Sequence, residues 1–165
     1  MAFTHLSEPT APQSSPMQSA EAGRSVTGVR IEFTGNAGLA ILGRVCLASV
    51  FVFSVLASKI PHYAHVLGKM AEAGMPFPAL LLPGAIVLLV LGSLSLILGY
   101  KARMGALLLI VFMLPATYYF HAFWSAAPAE FVPQIIHFMK NLSLVGALLF
   151  VMTVGPGPGA LDPAR

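Results

Sequence analysis

Four stretches of this chain are each long and apolar enough to cross a bilayer: residues 39–58 ("LAILGRVCLASVFVFSVLAS"), 79–99 ("ALLLPGAIVLLVLGSLSLILG"), 104–122 (opening "MGALLLIVFMLPATYYF") and 134–154 ("QIIHFMKNLSLVGALLFVMTV"). Each is close to the ~20 residues a helix needs to cross ~30 Å of hydrocarbon. No water is available there to satisfy peptide groups, so a single span must be helical; barrel strands would be shorter and would alternate. The sequence therefore predicts an all-α membrane protein, a bundle of four transmembrane helices. Composition agrees. Of 165 residues 57% are hydrophobic and 9% charged, too few charges to coat a water-facing surface, where soluble domains carry roughly 25%.

The flanks read differently. Residues 1–36 are rich in Ser, Pro, Ala, Thr and Gly, lack apolar periodicity and predict a flexible tail. They hold no apolar signal-peptide core; "RIEFTG" at 30–35 is a candidate surface segment leading into the bundle. The transmembrane domain spans 37–158, and a short tail, 159–165, follows after "GPGPG" stops the last helix. Pro83 falls in the first turns of its helix, Pro115 predicts a kink, and Pro133 suits the first turn of the fourth helix. Gly92, Ser93 and Ser95 suit close helix packing. The single Cys46 excludes an internal disulfide. A net charge of +3 without a dense basic run does not point to nucleic acid.

Cationic residues set the orientation. Lys101 and Arg103 lie in the turn between the second and third spans; Arg24 and Arg30 precede the first span, and Arg44 opens it. The loop after the third span, "HAFWSAAPAEFVP", has no Lys or Arg, whereas the first loop carries Lys59 and Lys69. The expected arrangement is an inner membrane protein with both termini cytoplasmic and the first and third loops outside. Arg44, Lys101 and Arg103 are then inner-face anchors, with Arg44 meeting lipid phosphate or a neighbouring helix.

In this orientation Lys59, His121 and Trp124 lie at the outer face, with His137, Lys140 and Asn141 at the outer end of the fourth span. His137 and Asn141 are four residues apart and share a helix face. Ionisable groups within a span are functional candidates. His121, His137, Lys140, Asn141, Lys59 and Trp124 therefore form a candidate ligand site. Bland readings stand beside it: Lys140 can snorkel to the headgroups, and the aromatics 118–124 can be an interface belt. His121 and His137, with Glu130 as a third, would need a further ligand to hold zinc, and no metal is assigned. No catalytic motif is present.

Several motifs resemble the DoxX family of small four-helix membrane proteins: "GRVCLASVFVFSVLASKI", "AEAGMP", "LILGYKARMGALLL", "ATYYFHAFW" and "QIIHFMKNLSLVGALL". The resemblance covers about residues 43–162. Family members commonly carry a Glu in the middle of the second helix, where this chain has Leu89, and often a Ser-Gly before the first-helix Lys, where it reads "SVLASK". Lys140 then needs another partner: a lipid phosphate, a quinone carbonyl or a partner subunit. The resemblance implies a bacterial inner-membrane location and a loose link to redox systems, some relatives being subunits of quinone-linked or oxidative-stress assemblies. The leading expectation is an accessory or membrane subunit of such a system. It has no intrinsic cofactor, a quinone or lipid as candidate ligand, and a redox subunit or a second copy as candidate partner beside the bilayer. The alternatives are a small-molecule or anion binding or transport protein, and an assembly factor without a ligand.

Overall fold

The computed structural model describes residues 36–162; the candidate surface segment at 30–35 lies outside them. The elements are α1 (Ala37–Phe53), continued by a π-helical turn (Ser54–Lys59), then α2 (Tyr63–Glu72), α3 (Pro78–Leu98), α4 (Ala102–Phe120), a 3-10 turn (Phe123–Ser125) and α5 (Pro128–Val154). Four helical stretches are long and apolar enough to span a membrane: Ala37–Lys59, Pro78–Leu98, Ala102–Ser125 and Pro128–Val154. The expected four-span helical architecture is thus the observed one.

Local chemistry sets the ends. The Asn36 side chain accepts from Gly38 N at 2.9 Å and caps α1. Gly99, at φ 66°, closes α3, and the Ser95 hydroxyl reaches back to Tyr100 O at 2.6 Å and Lys101 O at 3.1 Å. α5 begins at Pro128, not near Pro133. Pro128 already supplies a first-turn proline, whereas Pro133 lies inside the helix, where it withholds the hydrogen bond its position would make to Ala129 O. At 27 residues α5 is about 40 Å long and overshoots the hydrocarbon. The first loop also departs from expectation: residues 63–72 form α2, an amphipathic helix that buries Met70.

α3 packs on α4, α4 on α5, and α1 on α3. The core joins Ala48, Phe51 and Val55 of α1 to Leu89 and Leu96 of α3, to Ala106, Leu109, Ile110 and Met113 of α4, and to Leu148 of α5. Gly92 and Gly105 let α3 and α4 meet backbone to backbone. A Cβ on Gly92 would fall 2.7 Å from Leu109 Cγ, and one on Gly105 would fall 2.5 Å from Ser95 Oγ. This contact lies toward the α3–α4 turn, so the two helices are tight at the Arg44 end of the bundle.

At that end Arg44 is 4% exposed. Its guanidinium donates to Pro156 O at 2.8 Å and to Gly159 O at 3.0 Å. Leu161 N and Asp162 N donate to Leu98 O and Gly99 O at 3.2 Å each. Residues 155–162 therefore lie back across the helix ends. The expectation that Arg44 meets lipid phosphate or another helix is corrected: the glycine- and proline-rich segment offers carbonyls no helix uses, and a guanidinium satisfies two at once.

Candidate functional site

The other half of the bundle, toward Lys59, holds a cavity of about 500 Å³. Its walls come from α1 (Val50, Phe51), from α2 and the loop after it (Val66, Met70, Met75), and from the first half of α3 and the second half of α4. They are apolar except where Ser54, Lys59, His121 and Asn141 reach them.

The backbone explains how Lys59 enters. Ser54 and Lys59 are five residues apart, about 140° around a regular α-helix at 3.6 residues per turn. The helix widens here, Ile60 N donating to Val55 O at 3.0 Å, five residues back. The extra residue in the turn brings Lys59 over Ser54, and its ammonium donates to Ser54 Oγ at 2.6 Å. It also lies 5.1 Å from the centroid of the Phe112 ring, a cation–π contact. No carboxylate pairs with it among the described residues. Single π-type turns inside α-helices often accompany functional sites.

His121 and Asn141 line the cavity and are oriented from outside it. Gln134 Oε1 lies 3.1 Å from His121 Nδ1. A carbonyl oxygen only accepts, so Nδ1 carries the hydrogen and Nε2 of the neutral ring is an acceptor. Asn141 Nδ2 donates to Thr117 Oγ1 at 2.9 Å and keeps a second N–H for a ligand.

The remaining candidates lie elsewhere. The His137 ring stacks on His121, centroids 4.9 Å apart, on an exposed part of α5 and outside the cavity wall. Lys140, next to Asn141, is exposed on α5 and does not reach the cavity. Trp124, 55% exposed, packs with Tyr118, Phe123 and Phe138 at ring distances of 5.9, 5.2 and 6.1 Å. That ring cluster ties the 3-10 turn to α5 through Phe138. Lys101 and Arg103 are exposed in and just after the α3–α4 turn. Among the described residues no group of three His, Cys, Asp or Glu could hold a metal. Sequence reasoning passed over Ser54, Thr117 and Gln134. Ser54 carried the one readable signal, a hydroxyl inside "SVLASK" one widened turn before the lysine.

These features define a four-span integral membrane protein with a largely apolar cavity between its spans. The DoxX family profile matches residues 39–122, and the chain belongs to the DoxX family. It is 29% identical over 124 residues to inner membrane protein YphA of Escherichia coli (strain K12), covering 75% of this chain and 88% of that protein. It is 30% identical over 122 residues to inner membrane protein YqjF of the same strain, covering 74% and 88%. A Surfeit locus protein 4 homolog of Drosophila melanogaster is 28% identical over 78 residues, 44% of this chain and 29% of that one. No solved structure matches the chain.

Proposed function

We propose that this DoxX-family inner membrane protein is the quinone-binding accessory component of a redox system, with the quinone headgroup held in the cavity by Lys59, Asn141 and His121. The observation that carries the reading is the Lys59 ammonium, turned into an apolar cavity by a π-helical turn and left without a carboxylate among the described residues. A cation in a span is expensive, and a ligand oxygen is the partner its surroundings lack.

The residues fit the group. A ring with two carbonyls is flat and apolar and needs donors only at its oxygens. Lys59 and the free N–H of Asn141 are donors, and two donors at one oxygen favour its reduced, more negative form. His121 Nε2 is an acceptor for the hydroxyl hydrogen of a reduced quinone. The electrons come from a partner, since the chain has no redox cofactor motif. The positive-inside pattern supports an arrangement with the Arg44 and Lys101 end cytoplasmic. Transport of an anion through the bundle fits less well, because the Arg44 half is filled by Leu96, Ala106, Leu109 and Leu148, all fully buried.

The test is the unfolding temperature of the purified protein with rising concentrations of a benzoquinone carrying a decyl chain. A saturable rise in wild type and in Lys140→Leu, lost in Lys59→Met, is expected. An equal rise in Lys59→Met, or none in wild type, overturns the proposal; saturable stabilisation by inorganic anions instead would favour the anion-binding alternative.

A further inference from the structure

The cavity is not closed off from the lipid. Its wall includes residues at the centre of the bundle, Phe51, Leu82 and Met113, that are nearly inaccessible. It equally includes Leu80, Gly84, Val111 and Pro115, which are exposed; Leu80 shows 74% and Val111 50% of its surface. On a helix of 3.6 residues per turn, Leu80 and Gly84 fall on one edge of α3, and Val111 and Pro115 on one edge of α4. The contact of Gly92 with Gly105 and Leu109 joins the two helices closely near their turn. Toward Lys59 the cavity lies between the first half of α3 and the second half of α4. An ideal Cβ on Gly84 meets nothing within 4 Å, so the opening is unfilled at that edge.

Resting on the quinone reading above, we infer that the gap between the first half of α3 and the second half of α4, edged by Leu80, Gly84, Val111 and Pro115, is a lateral portal. The headgroup lies toward Lys59, and its apolar chain passes out through the gap into lipid. The chemistry divides along the same line. The polar atoms of the wall belong to Ser54, Lys59, His121 and Asn141, and the edges of the gap present only aliphatic carbon and one glycine. A lipid-delivered amphiphile, oxygen-bearing at one end and aliphatic at the other, matches that division, and a water-soluble solute does not.

The experiment compares two probes on three proteins. The probes are the benzoquinone with a decyl chain and the same ring without a chain; the proteins are wild type, Gly84→Phe and Val111→Phe. Both substitutions enlarge exposed positions on opposite edges of the gap, and each variant is first shown to be monodisperse with a cooperative unfolding transition. Binding is read as the saturable shift in unfolding temperature. We expect the chain-bearing probe to bind about tenfold or more weakly to at least one variant, with the chainless ring unchanged. If both probes bind all three proteins alike, the portal is wrong and the quinone reading stands. Equal weakening of both probes also overturns the portal, since a tail exit affects only the tailed ligand. If neither probe binds wild type, the quinone reading fails and the portal falls with it.

Discussion

The Asn141 amide donates to the Thr117 hydroxyl across 2.9 Å, and this bond fixes the register between α4 and α5. Thr117 lies three residues before α4 ends at Phe120, so Asn141 is only about 5 Å below the end of that helix. Lys140 shares the level and faces outward, where its stem can reach the headgroups. Asn141 also lines the cavity and keeps a second N–H that this bond does not use. Replacing Thr117 by Val removes the acceptor and keeps the shape. Interhelical hydrogen bonds in membranes average about 0.6 kcal/mol and reach about 1.7 kcal/mol. Thr117→Val should destabilise within that range by reversible unfolding in detergent, and Asn141→Leu should do so while also weakening quinone binding. A Thr117→Val protein as stable as wild type would show that the bond sets no register.

Arg44 should be far more costly to lose. It is buried and satisfies two carbonyls of the C-terminal segment, and hydrogen bonds from charged groups contribute about 1.5–3 kcal/mol. Arg44→Met should lower stability by about 3 kcal/mol and release residues 155–162. Limited proteolysis would then cut after Val154 faster in the variant than in wild type. Arg44→Lys, a single point of charge in place of a fork, should recover only part of the protection. Unchanged cleavage in Arg44→Met would mean the segment is held by its backbone bonds to Leu98 and Gly99 alone.

The two arginine and lysine sites show what the sequence could and could not say. The spans were legible because about twenty apolar residues in lipid have one backbone solution, and the charge pattern placed Arg44 and Lys59 at opposite ends. Their directions were not legible. Arg44 turns inward because a segment about 110 positions later supplies carbonyls, a contact no local pattern records. Lys59 turns inward because of one widened turn, and periodicity arguments assume the regular one. Lys140 is a candidate only as an ionisable group within a span, yet it is one residue from the cavity-lining Asn141 and so about 100° around the helix. α5 starts before the point Pro133 predicts, at Pro128, a proline that carries the same first-turn signal.

The α3–α4 crossing should tolerate no side chain at Gly105. A Cβ there falls 2.5 Å from Ser95 Oγ and 3.0 Å from Gly92 O, and the second of these is backbone that cannot turn aside. Overpacking of this kind costs about 1–3 kcal/mol, so Gly105→Ala should unfold at a clearly lower temperature. Gly146→Ala is the control, since its Cβ meets nothing within 4 Å and alanine is the better helix former by about 1 kcal/mol. Equal effects from the two would remove the close approach as the reason for glycine at 105.

Lys59 and Lys140 should respond oppositely to the loss of charge, and the contrast separates a site from an anchor. Lys59 is held in an apolar cavity by one hydroxyl and one aromatic face, with no counter-charge among the described residues. Without a ligand that arrangement is unfavourable, so Lys59→Met should raise the stability of the empty protein by about 1 kcal/mol, within the usual range for relieving a destabilised functional position. The same substitution should abolish saturable quinone binding. Lys140 is exposed on α5, and a stem that reaches anionic lipid headgroups gains about 1 kcal/mol. Lys140→Leu should leave quinone binding intact and reduce only the stabilisation that anionic lipid confers. Unfolding of both variants, measured with and without quinone and with and without anionic lipid, gives four comparisons. A Lys59→Met protein that is less stable than wild type when empty, yet still binds quinone, would mean that Lys59 is a structural group packed against Phe112 and not the headgroup's partner.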